Sequence, residues 1–146
     1  MHTQVPERLI LVIDHNPAHT QAVQRVLSQK GESYRLEILT DGGVAMERLL
    51  QRGEYDQADR PDLVLLDLDL PDSYGHDILV TIKTTPELKR IPVIIFTQCD
   101  REEEIFRSYA NQGNCYVIKA VDLDQLAQTV QRIEDFWLEI VTLPLK

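Results

Sequence analysis

The stretch RPDLVLLDLDLPDSYG, residues 60–75, drives an apolar run into three carboxylates, Asp67, Asp69 and Asp72. Carboxylates this close repel one another unless solvent, a cation or basic groups offset the charge. An oxygen-rich cluster of this kind suits a hard divalent ion such as Mg²⁺, with waters completing its octahedron. Other apolar runs also end in reactive side chains. LILVI (residues 9–13) leads into Asp14 and His15, VIIF (93–96) into Thr97, and CYVI (115–118) into Lys119. Singly, each has a plain explanation: a turn-forming Asp, a Thr bonded to its own backbone, a solvated Lys. Together they supply two carboxylates, a hydroxyl and an ammonium.

The elements that must position these groups can be read from the pattern. LILVI, LVLL (63–66) and VIIF are continuous apolar runs rich in branched residues, as expected of strands buried on both faces. YRLEIL (34–39) and CYVI are weaker strands. Helical stretches lie between them. Asn16-Pro17 starts one, with Ala22, Val23, Val26 and Leu27 as its apolar face and Gly31 as its end. Residues 43–53 carry Val44, Met46, Leu49 and Leu50. Residues 76–84 carry Ile78, Leu79 and Ile82, and residues 101–112 carry Ile105, Phe106 and Tyr109. The last helix opens at Asp122 with Leu123, Leu126, Val130, Ile133 and Trp137 at helical spacing. Five alternations of strand and helix predict a doubly wound, flavodoxin-like α/β sandwich around a parallel sheet. Ligands of such sheets bind beyond the carboxyl ends of the strands. Strand order 2-1-3-4-5 would gather Asp14, Asp67, Thr97 and Lys119 on that one edge.

The bulk properties narrow the class. A chain of 146 residues reads as one domain, 1–146. Its net charge of -9 argues against nucleic-acid binding, which asks for a basic patch. Cys99 and Cys115 form no disulfide framework and lack metal-site spacing, so reduced thiols are expected. There is no signal pattern at the N-terminus and no apolar run of membrane-spanning length, so the expected location is the cytoplasm.

The motifs resemble a receiver domain of two-component response regulators over nearly the whole chain. LILVIDHNPA resembles the first strand with its acidic pair, and PDLVLLDLDLPDSYG the phosphoacceptor strand with its LP-x-x-x-G loop. IPVIIFT and NCYVIKAVDLDQL resemble the strands that end in Thr or Ser and in Lys. The tail IEDFWLEIVTLP, residues 133–144, resembles the small single-domain regulators paired with cyanobacterial phytochromes. The resemblance implies that Asp67 accepts a phosphoryl group from a sensor histidine kinase. Mg²⁺ is then held by Asp67, the Asp69 main-chain carbonyl and the acidic pair headed by Asp14. Thr97 and Lys119 contact the phosphoryl oxygens, and Tyr116 moves with Thr97 as the switch.

Three positions depart from that pattern. His15 stands where the family has its second acid, a softer ligand than Mg²⁺ prefers. It either enters the metal site, making Mn²⁺ a plausible ion, or faces solvent and leaves the metal to Asp14. Gln98 replaces a small residue, either narrowing access to Asp67 or swinging outward. Ala120 replaces a proline that usually follows the lysine in a cis peptide, so Lys119 is displaced or a strained cis bond is kept. These departures also fit a pseudo-receiver, the same fold used only as a docking module. A third reading is enzymatic: LLDLDL resembles the Asp-x-Asp motif of haloacid-dehalogenase-type phosphatases, although Pro71 stands where Thr or Val is normal. Finally, Phe136, Trp137 and Ile140 extend the last helix, from about 134 to 146, beyond a receiver core. That surplus suggests a homodimer interface.

Overall fold

The computed structural model describes residues 7–29, 34–72 and 74–144, with Ile140 described by its backbone alone. Five parallel strands form one sheet in the order β2-β1-β3-β4-β5. They are β1 (Arg8–Ile13), β2 (Tyr34–Leu39), β3 (Leu63–Leu66), β4 (Val93–Thr97) and β5 (Cys115–Ile118). The helices are α1 (Pro17–Ser28), α2 (Gly42–Leu49), α3 (Gly75–Thr84), α4 (Glu102–Ala110) and α5 (Leu123–Ile133). The expected flavodoxin-like arrangement is the one observed.

Alternation along β1 explains the two layers. Leu11 and Ile13 point to one face and pack with Ala45, Leu49, Ile78, Leu79 and Ile82 from α2 and α3. Ile10 and Val12 point to the other, against Ala22, Val23, Leu126 and Val130 from α1 and α5. Burying each such aliphatic side chain contributes about 2 kcal/mol. The sheet is thus held from both sides, and its strand ends are rigid mounts.

Several helix details differ from expectation. In α2 it is Ala45, not Val44, that meets the core; Val44 is exposed. That helix stops at Leu49, short of residue 53, because Gln51 adopts a left-handed φ of 55°. In α4 the expected apolar face is turned outward, with Phe106 75% and Tyr109 50% exposed. Ser108 is the residue buried there; its carbonyl accepts from the Gly113 N–H at 2.9 Å, an approach that a Cβ on Gly113 would crowd. Leu123 opens α5 exposed. The predicted stop of α1 at Gly31 lies outside the described residues.

Beyond α5 the chain winds on as a π-helix over Glu134–Ile140, then turns extended at Val141, whose N–H donates to the Phe136 carbonyl. Among the described residues the expected extension is helical to Ile140. Leu143 returns to the protein surface and is buried.

One close approach fixes α3 beside the third strand's loop. A Cβ placed on Gly75 would lie 2.7 Å from the Leu68 Cα and press on the Leu68 carbonyl oxygen. Asp72 from the same loop accepts a hydrogen bond from the Gly43 N–H at 3.0 Å. The loop after β3 is thereby pinned between two helix starts.

Candidate functional site

Each candidate group is presented by the backbone ladder just before it. The Asp14 N–H donates to Leu39, the Asp67 N–H to Ile13 and the Lys119 N–H to Thr97, so neighbouring strands set the positions directly. The side chains converge at the carboxyl edge of the sheet. Lys119 Nζ donates to Asp14 Oδ2 at 2.5 Å and to Asp67 Oδ2 at 2.8 Å. It also lies 5.5 Å from the centroid of the Phe96 ring. Asp14, Asp67, Thr97 and Lys119 are all buried. The ammonium thus supplies the charge compensation that a carboxylate pair requires. No peptide bond among the described residues is cis, and Lys119 reaches both acids with a trans bond to Ala120.

The remaining carboxylate oxygens are held by local N–H groups. Asp14 Oδ1 accepts from Asn16 at 2.9 Å, and Asp67 Oδ1 accepts from Asp69 at 2.9 Å. Asp69 itself is exposed at the mouth of the site. His15 is exposed too, yet its ring offers a nitrogen that lies, with oxygens of Asp14 and Asp67, in a group spanning no more than 4.8 Å. Two hard oxygens and one imidazole are a donor set that fits a divalent cation.

Thr97 is fully buried and its hydroxyl has no hydrogen-bond partner. Such an orphan is costly unless a ligand completes it. It borders an open cleft of about 380 Å³ between Asp69 and the side chains of Arg101 and Glu104. Gln98 lines the cleft but is exposed.

The switch residue of the sequence reading sits nearby. Tyr116 donates its hydroxyl to the Cys99 carbonyl at 2.8 Å, tying β5 to the loop that follows Thr97. Burial pushes its phenol well above the usual range, so it stays a donor. In the same loop the Cys99 thiol is held below its ordinary value by a hydrogen bond from Arg101. Both cysteines are free. Across the cleft, His76 Nε2 meets Glu104 Oε2 at 2.5 Å, and that bond holds the Glu104 carboxyl low.

Two of the predicted interface residues lie elsewhere. Phe136 is 51% exposed. Trp137 packs edge-on against it, with ring centroids 5.6 Å apart, and also covers the α1–α5 core. The Ile140 side chain lies outside the described residues.

One residue of the cluster was not anticipated. His19, buried in the first turn of α1, places Nδ1 3.0 Å from Lys119 Nζ. A usable signal existed: a histidine in the first turn after an acid-bearing strand must stand at the same sheet edge.

Comparison with known proteins decides the family. The response regulator receiver domain family matches residues 10–131. The chain is a response regulator receiver. It is 45% identical over 139 residues to Response regulator Rcp1 of Synechocystis sp., covering 95% of each chain. Among solved structures, the receiver superposes on the phosphorylated cyanobacterial phytochrome response regulator RcpA with a TM-score of 0.93 and 41% identity. That match covers 96% of this chain and all, 100%, of the other. The Mn²⁺-bound form of Rcp1 gives a TM-score of 0.91 at 44% identity, covering 94% and 99% of the two chains. The receiver is thus closely related to the cyanobacterial phytochrome response regulators.

Proposed function

We propose that this receiver takes a phosphoryl group onto Asp67 from a sensor histidine kinase of the phytochrome type. The observation that carries the reading is the Lys119–Asp67 contact of 2.8 Å beside the unpartnered Thr97 hydroxyl. An Asp67 carboxylate oxygen attacks phosphorus in line. The bond from phosphorus to the kinase histidine nitrogen breaks as the acyl phosphate O–P bond forms. Little covalent assistance is needed, and positioning with charge neutralisation does most of the work. Lys119 donates to a phosphoryl oxygen, and the Thr97 hydroxyl gains the partner it lacks. Because Tyr116 is bonded to the loop after Thr97, a shift of Thr97 toward the phosphoryl group moves that loop and Tyr116 with it.

Asp14, Asp67, the Asp69 main-chain carbonyl and His15 would hold the divalent ion, Mg²⁺ or Mn²⁺. When bound, the ion offsets charge on the attacking carboxylate and on the donor's phosphoryl group. The relative crystallised with Mn²⁺ supports the wider choice of ion.

The protein acts in the cytoplasm as a phosphoryl acceptor that signals through a partner, without turning over a substrate or binding nucleic acid. Among the described residues no helix is long and apolar enough to cross a membrane. The pseudo-receiver alternative draws on His15, Gln98 and Ala120, but the complete Asp67–Lys119–Thr97 set favours chemistry. The test is labelling with acetyl phosphate in Mg²⁺ or Mn²⁺. Wild type should gain one acid-labile group and Asp67→Asn none; labelling of the Asn variant would move the acceptor elsewhere.

The exposed Phe136 ring supports pairing of two copies through the last helix. Sedimentation velocity should show a dimer that Phe136→Asp converts to a folded monomer. A monomeric wild type at high concentration rules the dimer out.

A further inference from the structure

The buried histidine of α1 has no part in the chemistry just described. Its place follows from the helix start. Asn16 caps α1, its Oδ1 accepting from the N–H groups of Ala18 at 3.0 Å and His19 at 3.2 Å. Pro17 fixes the first turn, and the apolar face of Ala22, Val23 and Val26 seats the helix on the sheet. His19 therefore has one rigid orientation, with its ring 3.0 Å from Lys119 Nζ.

An ammonium has three N–H donors and no acceptor. Lys119 has three acceptors within reach, Asp14 Oδ2, Asp67 Oδ2 and His19 Nδ1, and its side chain is 0% exposed. Nδ1 must therefore be unprotonated, with the ring proton on Nε2. Burial first, and then the Lys119 charge, both disfavour the imidazolium. The three acceptors differ in what else they must do. Asp14 and Asp67 belong to the group that converges on a cation, and Asp67 also carries the phosphoryl group. His19 lies outside that converging group. It alone can keep hold of Lys119 while the carboxylates change partners. A neutral lone pair also directs the ammonium without adding a third negative charge to compete with the phosphoryl oxygens.

We propose that His19 is a positioning residue, a neutral third acceptor that keeps the Lys119 ammonium over Asp67 throughout phosphorylation. The idea rests on Asp67 being the phosphoacceptor.

Two measurements test it. Two-bond ¹⁵N–¹H spectra of the histidine rings, with His19 assigned by its loss in His19→Asn, should show Nδ1 bare and Nε2 protonated at neutral pH. Acetyl phosphate labelling should slow on the order of tenfold in His19→Phe, which keeps the ring and loses the acceptor. His19→Asn, whose side-chain oxygen can stand in for Nδ1, should recover most of that loss. A protonated Nδ1, a Phe variant labelled at the wild-type rate, or an Asn variant as slow as Phe would each overturn the proposal. Should His19→Phe fail to fold, the ring spectrum of the wild type still decides. Failure of the phosphoacceptor reading would look different: the wild type itself would not label, while the His19 tautomer would still report on its bond to Lys119.

Discussion

Asp67 and Glu134 are both buried carboxyl groups, and the fold accommodates them differently. Asp67 faces an ammonium brought from 52 residues away, with a second carboxylate and an orphan hydroxyl beside it. Glu134 is 0% exposed at the start of the π-helix; the Tyr34 hydroxyl donates to it at 2.9 Å and the Gln131 amide at 3.1 Å, and the carboxyl groups of Asp135 and Glu139 lie beside it. Burial there pushes the Glu134 carboxyl above its ordinary range. The site for chemistry gathers its carboxylates around a buried ammonium; the joint between β2 and the last helix gathers its acids beside a phenol and an amide.

The strongest way to break this contrast is to remove the ammonium. Lys119→Met leaves Asp14 and Asp67 facing each other without compensation. In chelator it should lose about 3 kcal/mol of stability, the scale for orphaning a buried charge. Saturating Mg²⁺ should return about 1–2 kcal/mol of that, because the ion binds only the folded site. Urea denaturation with and without metal measures both. Unchanged stability would mean that the carboxylates do not depend on Lys119.

A smaller change sharpens the same site. A third oxygen anion in place of the His15 imidazole gives a hard ion more of the charge it is held by. His15→Asp should tighten Mg²⁺ binding about tenfold, while Mn²⁺, which tolerates nitrogen better, gains less. Calorimetric titration with each ion tests this. Equal Mg²⁺ affinity in both proteins would mean that the exposed imidazole is a bystander.

The smallest effect belongs to the other region. The folded value of Glu134 lies above an unfolded glutamate's, so its contribution to stability is fullest in acid. That contribution is lost as pH rises through the raised value. The Tyr34 hydroxyl opposes this by bonding the ionised carboxylate. Tyr34→Phe should therefore cost about 1 kcal/mol at pH 7 and less at pH 4, with phosphorylation untouched. An equal cost at both pH values would mean that Glu134 does not titrate in that window.

What could be read from the sequence was whatever local order encodes. Continuous runs such as LVLL marked the strands, and the residue ending each run marked the site edge. Asp14, Asp67, Thr97 and Lys119 came together because parallel strands end on one side. Partnerships that join a helix or the tail to a distant strand were not legible. His19 lies 100 residues from Lys119, and Tyr34 lies 100 residues from Glu134. Its first-turn place puts His19 at the site's edge, but nothing in the helical pattern says that its ring turns inward to Lys119. The outward turn of Phe106 and Tyr109 was also hidden, because the spacing of apolar residues gives a helix its stripe and not the stripe's direction. The direction appears only in the packed helix, where Ser108 and not the apolar pair is buried.

The tight seat of Gly75 on Leu68 has a consequence for anyone selecting variants. A saturation library at residue 75 should return glycine alone, even under a screen that asks only for folding. Alanine would already push α3 off the loop that follows β3, because its Cβ meets backbone, which cannot rotate away. Residue 75 would then score as indispensable in a functional screen while touching none of the reacting atoms. Mutational intolerance there records distance between two main chains, and comparing folding-only with phosphorylation-linked selections separates the two meanings.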